Sequence, residues 1–218
     1  MISACFHIHT KYSHDSPTEP GDIVNFAKKL NLDVLGITDH ETPKGAIAAK
    51  KLAKEKDILV LIGQEIKTGY GDLLVFGSDE KLSNNFFGLL DKAKSEGLFV
   101  ILPHPFDLMR KKSAVGLNLS ESLLGQAIKK IDAVEVFNSR CFLNLYNWEA
   151  EKFADSHNLP GIAGADAHMI EELDTARNTI NCEKNEEDVY KAIRAGKIVW
   201  HGKRTSVFSY FRRYVSKF

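Results

Sequence analysis

A chain of 218 residues with 44% hydrophobic and 27% charged side chains has the composition of an ordinary globular protein, with enough residues for one sizeable core. Lys and Arg total 29, as do Asp and Glu, so no global charge draws it to nucleic acid or a membrane surface. Cys5, Cys141 and Cys182 form an odd set without CxxC spacing, which argues against a disulfide framework or zinc ribbon and for a reducing cytoplasm.

Residues 3–7 read as a strand, entered without a basic-then-apolar signal segment. Residues 20–30 read as a helix, with Ile23, Phe26, Ala27 and Leu30 at helical spacing. A strand follows at 32–38, an Ala- and Lys-rich helix at 44–56, a strand at 58–67 and a shorter one at 72–77. Residues 86–96 are helical and Gly97 is a good stop. Residues 98–103 form a strand, and 120–130 a helix with Ser120 as its N-cap. A strand at 133–137, a helix at 144–157 and a strand at 161–165 come next, then a late helix at 186–195 and a short strand at 197–201. Residues 109–119 are the one longer irregular stretch, basic through Arg110, Lys111 and Lys112 and expected near the site mouth. No apolar run approaches the roughly 20 residues of a membrane span. The alternation predicts a parallel, closed or nearly closed α/β sheet, with its site at the carboxyl ends of the strands. Residues 1–202 read as one domain. Residues 203–218 read as a basic amphipathic helix, with Phe208, Phe211, Val215 and Phe218 on one face. Docking on the barrel is its plain reading; a partner, membrane-surface or nucleic-acid contact is the sharper one.

Several of these strands stop at side chains that bind metals. On a regular strand His7 and His9 share a face, a ready pair for a divalent transition metal, although polar filling of a barrel end is the bland alternative. Asp15 sits in the turn 12–16, where an Asp is more often a local cap. Asp39 and His40 end the second strand, as a capping Asp beside a surface His or as site residues. Glu65 lies in an apolar strand, so its carboxylate must be paired, protonated or metal-bound; Lys67 is the candidate partner. Pro103 and Pro105 fix the backbone around His104. Asp166 and His168 repeat the one-residue spacing among Gly161, Ala163, Gly164, Ala165 and Ala167. Asn138 could ligate weakly or orient a water. Arg140 reads as a bidentate anion grip or as a surface charge. Five of the eight His residues fall at these strand ends, which chance scatter does not explain.

The segments FHIHTKYSHDS, GITDHE, IGQEI, LPHPF, EVFNSR and AGADAH, in this order between residues 6 and 168, resemble the PHP (polymerase and histidinol phosphatase) family of metal-dependent phosphoesterases. The resemblance implies an α/β fold, a distorted (β/α)7 TIM-like barrel, and two or three divalent metal ions (Mn, Zn or Fe). It implies that His7, His9, Glu65 and Asp166 hold one metal. Glu65 bridges to a second, completed by His104 and one more ligand, and Asp15, His40 and His168 hold the third. Asp72, in Gly71-Asp72-Leu73-Leu74, stands where the family often has a His. The implied function is hydrolysis of a phosphate ester of a small metabolite or nucleotide through a metal-activated water. Glu65, Asp166, Asp15 and His168 would be the catalytic core, and Arg140, Asn138, Arg177 and Lys11 would contact the substrate. The competing readings are a 5′–3′ exonuclease or nucleoside 3′,5′-bisphosphate phosphatase, and a non-catalytic metal-binding scaffold. Nucleic acid is the less favoured partner.

Overall fold

Seven apolar strands close on themselves with amphipathic helices outside. A computed structural model describes residues 1–206; the segment 207–218, and the terminal helix expected there, lies outside the described residues. The barrel strands are β1 (Ile2–Ile8), β2 (Val34–His40), β3 (Leu59–Thr68), β4 (Gly71–Phe76), β5 (Phe99–Leu102), β6 (Ala133–Asn138) and β7 (Gly161–Ala167). They follow one another around the sheet, and β1 pairs with both β7 and β2, which closes it. The helices are α1 (Pro20–Lys29), α2 (Lys44–Ala53), α3 (Phe86–Glu96), α4 (Val115–Asn118), α5 (Glu121–Ala127), α6 (Asn144–Ser156) and α7 (Glu186–Arg194). Gly97 ends α3 in the left-handed region, and the Ser120 hydroxyl caps α5 by accepting from the Leu123 N–H. The stretch 109–119 is more ordered than its sequence indicates, with a 3-10 turn at Leu108–Ser113 followed by α4.

The barrel departs from the expected parallel sheet at one strand. β4 runs antiparallel to both β3 and β5. Only residues 69 and 70 separate β3 from β4, and a parallel crossover needs a dozen or more. Gly71, at φ 133°, turns the chain back. This reversal decides the site's make-up, because it puts the start of β4 on the rim where the parallel strands end. Asp72 therefore pairs with Lys67 near the end of β3. A further strand absent from the sequence reading, β8 (Ala176–Ile180), lies antiparallel to the start of β1 and carries β9 (Ile198–Gly202) on its other edge.

The amino ends of the parallel strands hold a dry core. Phe6, Leu61, Leu74, Phe76, Phe99, Ile101 and Ile162 fill the barrel there, and Val189, Tyr190 and Ile193 of α7 pack against them. Outside, α1 and α2 cover one flank with Ile23, Val24, Ala27, Ala46 and Ala49. Helices α3, α5 and α6 cover the other with Leu89, Leu90, Ala93, Ala127, Phe153 and Ala154. The carboxyl rim is left for polar residues.

Candidate metal centre

A regular β1 would not bring both histidines to this rim. Ala4 and Phe6 pack inside the barrel, so strict alternation would turn His7 outward. Instead the pairing register shifts between Phe6 and Ile8 against both neighbouring strands, and His7 takes φ 62°. Such a bulge re-aims the side chains that follow it. His7 and His9 then both reach the rim, while Ile8 joins the outer cluster with Ile23. His104 (φ 28°) and Asp166 (φ 50°) also sit in the left-handed region, so three site residues carry backbone strain that the surrounding fold must hold.

The ligand-competent atoms converge. Three overlapping groups each bring their atoms within 4.8 Å of one another: His9, Asp15, His40 and His168; His7, His9 and Asp166; His7, Glu65 and His104. Glu65 spans the cluster. Its Oε2 lies 3.4 Å from His7 Nε2, 3.3 Å from His9 Nε2 and 3.3 Å from His40 Nδ1, and its Oε1 lies 3.2 Å from His104 Nε2. Asp166 Oδ1 stands 3.7 Å from His7 Nε2 and 3.6 Å from His9 Nε2. Asp15 Oδ2 faces His40 Nε2 at 3.4 Å and His168 Nε2 at 3.0 Å. Most of these separations exceed the usual 2.7–3.2 Å of an N–H···O bond. They match ligands that share an ion, since donors about 2.1 Å from one cation stand about 3–4 Å apart. Lys67 is exposed, so Glu65 is partnered by histidines and not by that lysine.

Buried supports set which nitrogen each ring offers. His7 Nδ1 bonds Glu135 Oε1 at 2.8 Å. His168 Nδ1 bonds the Asp166 carbonyl at 2.8 Å. The Ser13 hydroxyl donates to Asp39 Oδ1, so it must accept from His9 Nδ1 at 3.1 Å. In each ring Nδ1 carries the proton and Nε2 is turned to the cluster, the arrangement that outer partners impose on metal-binding histidines. The Nε2 atoms of His7 and His9 are buried without a hydrogen-bond partner. Orphaned ring nitrogens facing carboxylates at ion-sharing distance show that this donor set fits divalent metal ions.

Charge in the cluster follows from the same geometry. Burial pushes the Glu65 carboxyl up, but the charges of His40 and His7 and a bond from His104 hold it well below the usual range. Burial is likewise outweighed at Asp166 by His7 and Arg110. Burial depresses His9, yet the facing carboxylates of Asp166 and Glu65 raise it to about 9. His168 goes the other way, taken down to about 3 by burial and the charge of His9. Burial and the nearby Glu65 push Asp72 up to about 6.

A cavity of about 1010 Å³ opens over the cluster, lined by Asp15, His40, Glu65, Asp72, His104 and others, with Phe142 and Leu143 toward its mouth. Asp72 is 5% exposed and lies outside the three groups. Among the expected substrate contacts, Asn138 is buried and its amide bonds Glu135 and Asp166. Arg140 lines the cavity but grips Glu172 through two contacts of 2.9 Å. Arg177 donates to the Leu30 carbonyl and Lys11 pairs with Glu19; neither lines the cavity. Asp39 caps no helix and reaches no metal group; it accepts from the Thr10 and Ser13 hydroxyls and the Thr10 N–H. The sequence reading missed Glu135, which bonds His7 and the His104 N–H, and the role of Arg110, which bonds Asp166. Glu135 carried a visible signal, a carboxylate inside an apolar strand.

The PHP domain model matches residues 6–133, more than half of the chain. The chain belongs to the PHP domain family. A PHP-associated model matches residues 144–198, so the candidate ligands come from both parts, with Asp166 and His168 in the second. Two uncharacterised proteins of Methanocaldococcus jannaschii are similar: MJ1587 is 35% identical over 150 residues, covering 63% of this chain and 82% of the relative. MJ0417 is 31% identical over 186 residues, 83% of this chain and 73% of the relative. A two-domain protein from Bacteroides vulgatus containing a predicted PHP-like metal-dependent phosphoesterase superposes with a TM-score of 0.75 at 18% identity, over 99% of this chain and 69% of that one. PsfC from Pseudomonas syringae superposes with a TM-score of 0.67 at 14% identity, over 99% and 98%. These structures share the PHP fold. Among the described residues no helix is long and apolar enough to cross a membrane.

Proposed function

We propose that this PHP domain is a metal-dependent phosphoesterase that hydrolyses a phosphate ester of a small metabolite or nucleotide. The observation that carries the reading is the convergence of His7, His9, His40, His104 and His168 with Asp15, Glu65 and Asp166 beneath one cavity. Bound divalent ions would supply Lewis acidity at phosphoryl oxygens and lower the pKa of a water toward neutrality. The chain's own residues do the rest. Glu65 and Asp166 tie the ligand groups together. Asp15 and His168 complete the group that includes His9 and His40, and Asp72 offers a further carboxylate beside Glu65 and His104. Burial pushes the Cys141 thiol far up, which argues against a thiolate nucleophile there. A non-catalytic scaffold would show lost ligands, whereas eight of the nine ligand positions expected from the resemblance carry coordinating side chains and Asp72 can serve as the ninth. Exonuclease and nucleoside 3′,5′-bisphosphate phosphatase readings share this site and differ only in substrate.

Metal analysis of the purified protein, with assays on p-nitrophenyl phosphate, histidinol phosphate, a nucleoside 3′,5′-bisphosphate and short RNA, tests the proposal. The expected result is two or three bound ions and cleavage of a small phosphate ester that Glu65→Gln and Asp166→Asn abolish in folded protein. Unchanged turnover in either variant would refute the assignment.

A further inference from the structure

The loop after β6 and the first turns of α6 expose large apolar side chains side by side. Phe142 is 61% exposed, Leu143 44%, Leu145 53% and Trp148 50%. The inner face of α6 is made by Tyr146, Ala150, Phe153 and Ala154, so Leu145 and Trp148, three residues apart, share an outer face. Single apolar residues on a surface are ordinary, whereas a contiguous patch marks an interaction site. Lys152 Nζ stands 3.2 Å from the centre of the Trp148 ring and covers one side of it. Glu149, Glu151 and Asp155 are exposed on the flanks of the same strip.

The chain is led to this patch before the described residues end. The Lys203 N–H donates to the Thr175 carbonyl and the Thr205 N–H to the Ser139 carbonyl, both at 2.8 Å. Between them Arg204 Nη1 donates to the Phe142 carbonyl at 2.9 Å. Thr205 is buried, and Ser206 lines the same cavity as Phe142 and Leu143. Residues 207–218 therefore start at the edge of the patch. Extended, they reach about 40 Å. Leu145 and Trp148 are only about 5 Å apart along the helix axis, so the patch lies within that reach.

We infer that residues 207–218 cover the apolar face of Phe142, Leu143, Leu145 and Trp148, at the edge of the cavity mouth. Phe208, Phe211, Val215 and Phe218 recur at spacings of 3, 4 and 3 and supply an apolar complement. Arg212, Arg213 and Lys217 complement Glu149, Glu151 and Asp155, and the segment holds no Asp or Glu. Because the chain is tethered at Arg204 and Thr205, the effective concentration of the segment at the patch is in the millimolar range, and weak contacts suffice. Phe142 and Leu143 belong both to the patch and to the cavity lining, so the segment borders the entrance by which a ligand reaches the cluster. The inference is independent of the phosphoesterase reading.

Tryptophan fluorescence of the full chain tests it. The chain has two tryptophans, so Trp200→Phe leaves Trp148 as the reporter. In that background Trp148 is expected to be shielded from acrylamide, and Phe208→Ser with Phe211→Ser should raise the quenching and shift the emission to the red. From the other side, Leu145→Ser should speed tryptic cleavage after Arg212 and Arg213. Circular dichroism and Tm are read on every variant; if the double tail variant does not fold, Leu145→Ser decides by its cleavage rate. Equal quenching with and without the tail substitutions overturns the inference, as does an unchanged cleavage rate in folded Leu145→Ser. Shielding lost on dilution, with a dimer-to-monomer shift in sedimentation, overturns it as well, because a second copy would then be the cover. So does a Trp148 that becomes shielded only when anionic vesicles or RNA are added.

Discussion

Glu135 occupies the space that a side chain at Gly164 would need: a Cβ there would stand 1.6 Å from Glu135 Oε1. The two lie on the neighbouring strands β6 and β7. The carboxylate so admitted bonds His7 Nδ1 at 2.8 Å, the His104 N–H at 2.9 Å and the Asn138 amide at 2.8 Å. One buried group therefore orients two candidate ligands, His7 on β1 and His104 just beyond β5. Gly164→Ala is expected to displace Glu135 and weaken metal affinity about 10- to 100-fold, the usual cost of losing an outer partner. Glu135→Gln, which keeps the size and drops the charge, should weaken it less. Manganese titration with circular dichroism as a folding control checks both, and equal affinities in all three proteins would rule out this role.

Metal binding should release protons. Burial lowers His9, but Asp166 and Glu65 raise it to about 9, so the metal-free ring is charged at pH 7 and must lose its proton to ligate. A histidine raised on folding adds stability that is full below its unfolded pKa, about 6.5, and is lost as pH rises through about 9. Metal affinity runs the opposite way and climbs with pH over the same window. His168, held near 3, contributes no such proton. Calorimetry in two buffers of different ionisation enthalpy should show net proton release at pH 7. His9→Ala should reduce that release in proportion to any metal it still binds, while His168→Ala should leave the protons per ion unchanged.

The candidate ligands were legible because their chemistry is carried by residue type in or just after apolar runs, as with Glu65 inside β3 and His104 and His168 just beyond β5 and β7. Side-chain periodicity was less informative. His7 reaches the site through a bulge, and a positive φ at a histidine leaves no mark in the sequence. The reversal of β4 was implied by the short link between the strands read at 58–67 and 72–77, yet alternation of elements pointed to a parallel sheet. β8 was missed because five residues with Asn178 at their centre give too short a pattern. Arg110 lies in a turn without periodicity, so only the fold reveals that it meets Asp166. Lys11 and Arg177 were singled out for charge alone, and their partners, Glu19 and the Leu30 carbonyl, belong to the outside of the barrel.

Asp72 should cost the metal-free protein stability at neutral pH. Burial and Glu65 raise its carboxyl from 3.8 to about 6. The unfolded chain gives up this proton near 3.9 and the folded chain only near 6, so the penalty is absent below about pH 4 and complete above about pH 6. A shift of about two units corresponds to about 3 kcal/mol. Metal-free Asp72→Asn is therefore expected to be more stable than wild type at pH 7, by up to that amount, and equal to it at pH 3.5. Urea unfolding at both values checks this. A parallel titration asks whether the variant binds fewer ions, as it should if Asp72 is a ligand; a variant less stable than wild type at pH 7 would mean that the carboxylate is already compensated.

Arg140 should prove to be a structural residue of the rim. Its guanidinium meets both Glu172 oxygens at 2.9 Å, and Glu172 accepts from the N–H groups of His168 at 2.7 Å and Met169 at 3.0 Å. The pair is buried and fixes the turn that carries His168. Arg140→Met would leave the Glu172 carboxylate in a buried site without its cation, at a cost of about 3–5 kcal/mol. Burial already raises the Glu172 carboxyl against the pull of Arg140, so protonation relieves the variant and its deficit should narrow as pH falls. Denaturant unfolding of the metal-free proteins at pH 7 and pH 5 reads the deficit and its direction. A variant that keeps wild-type stability but shows a large rise in KM would return Arg140 to the role its position in the sequence first indicated, that of an anion grip.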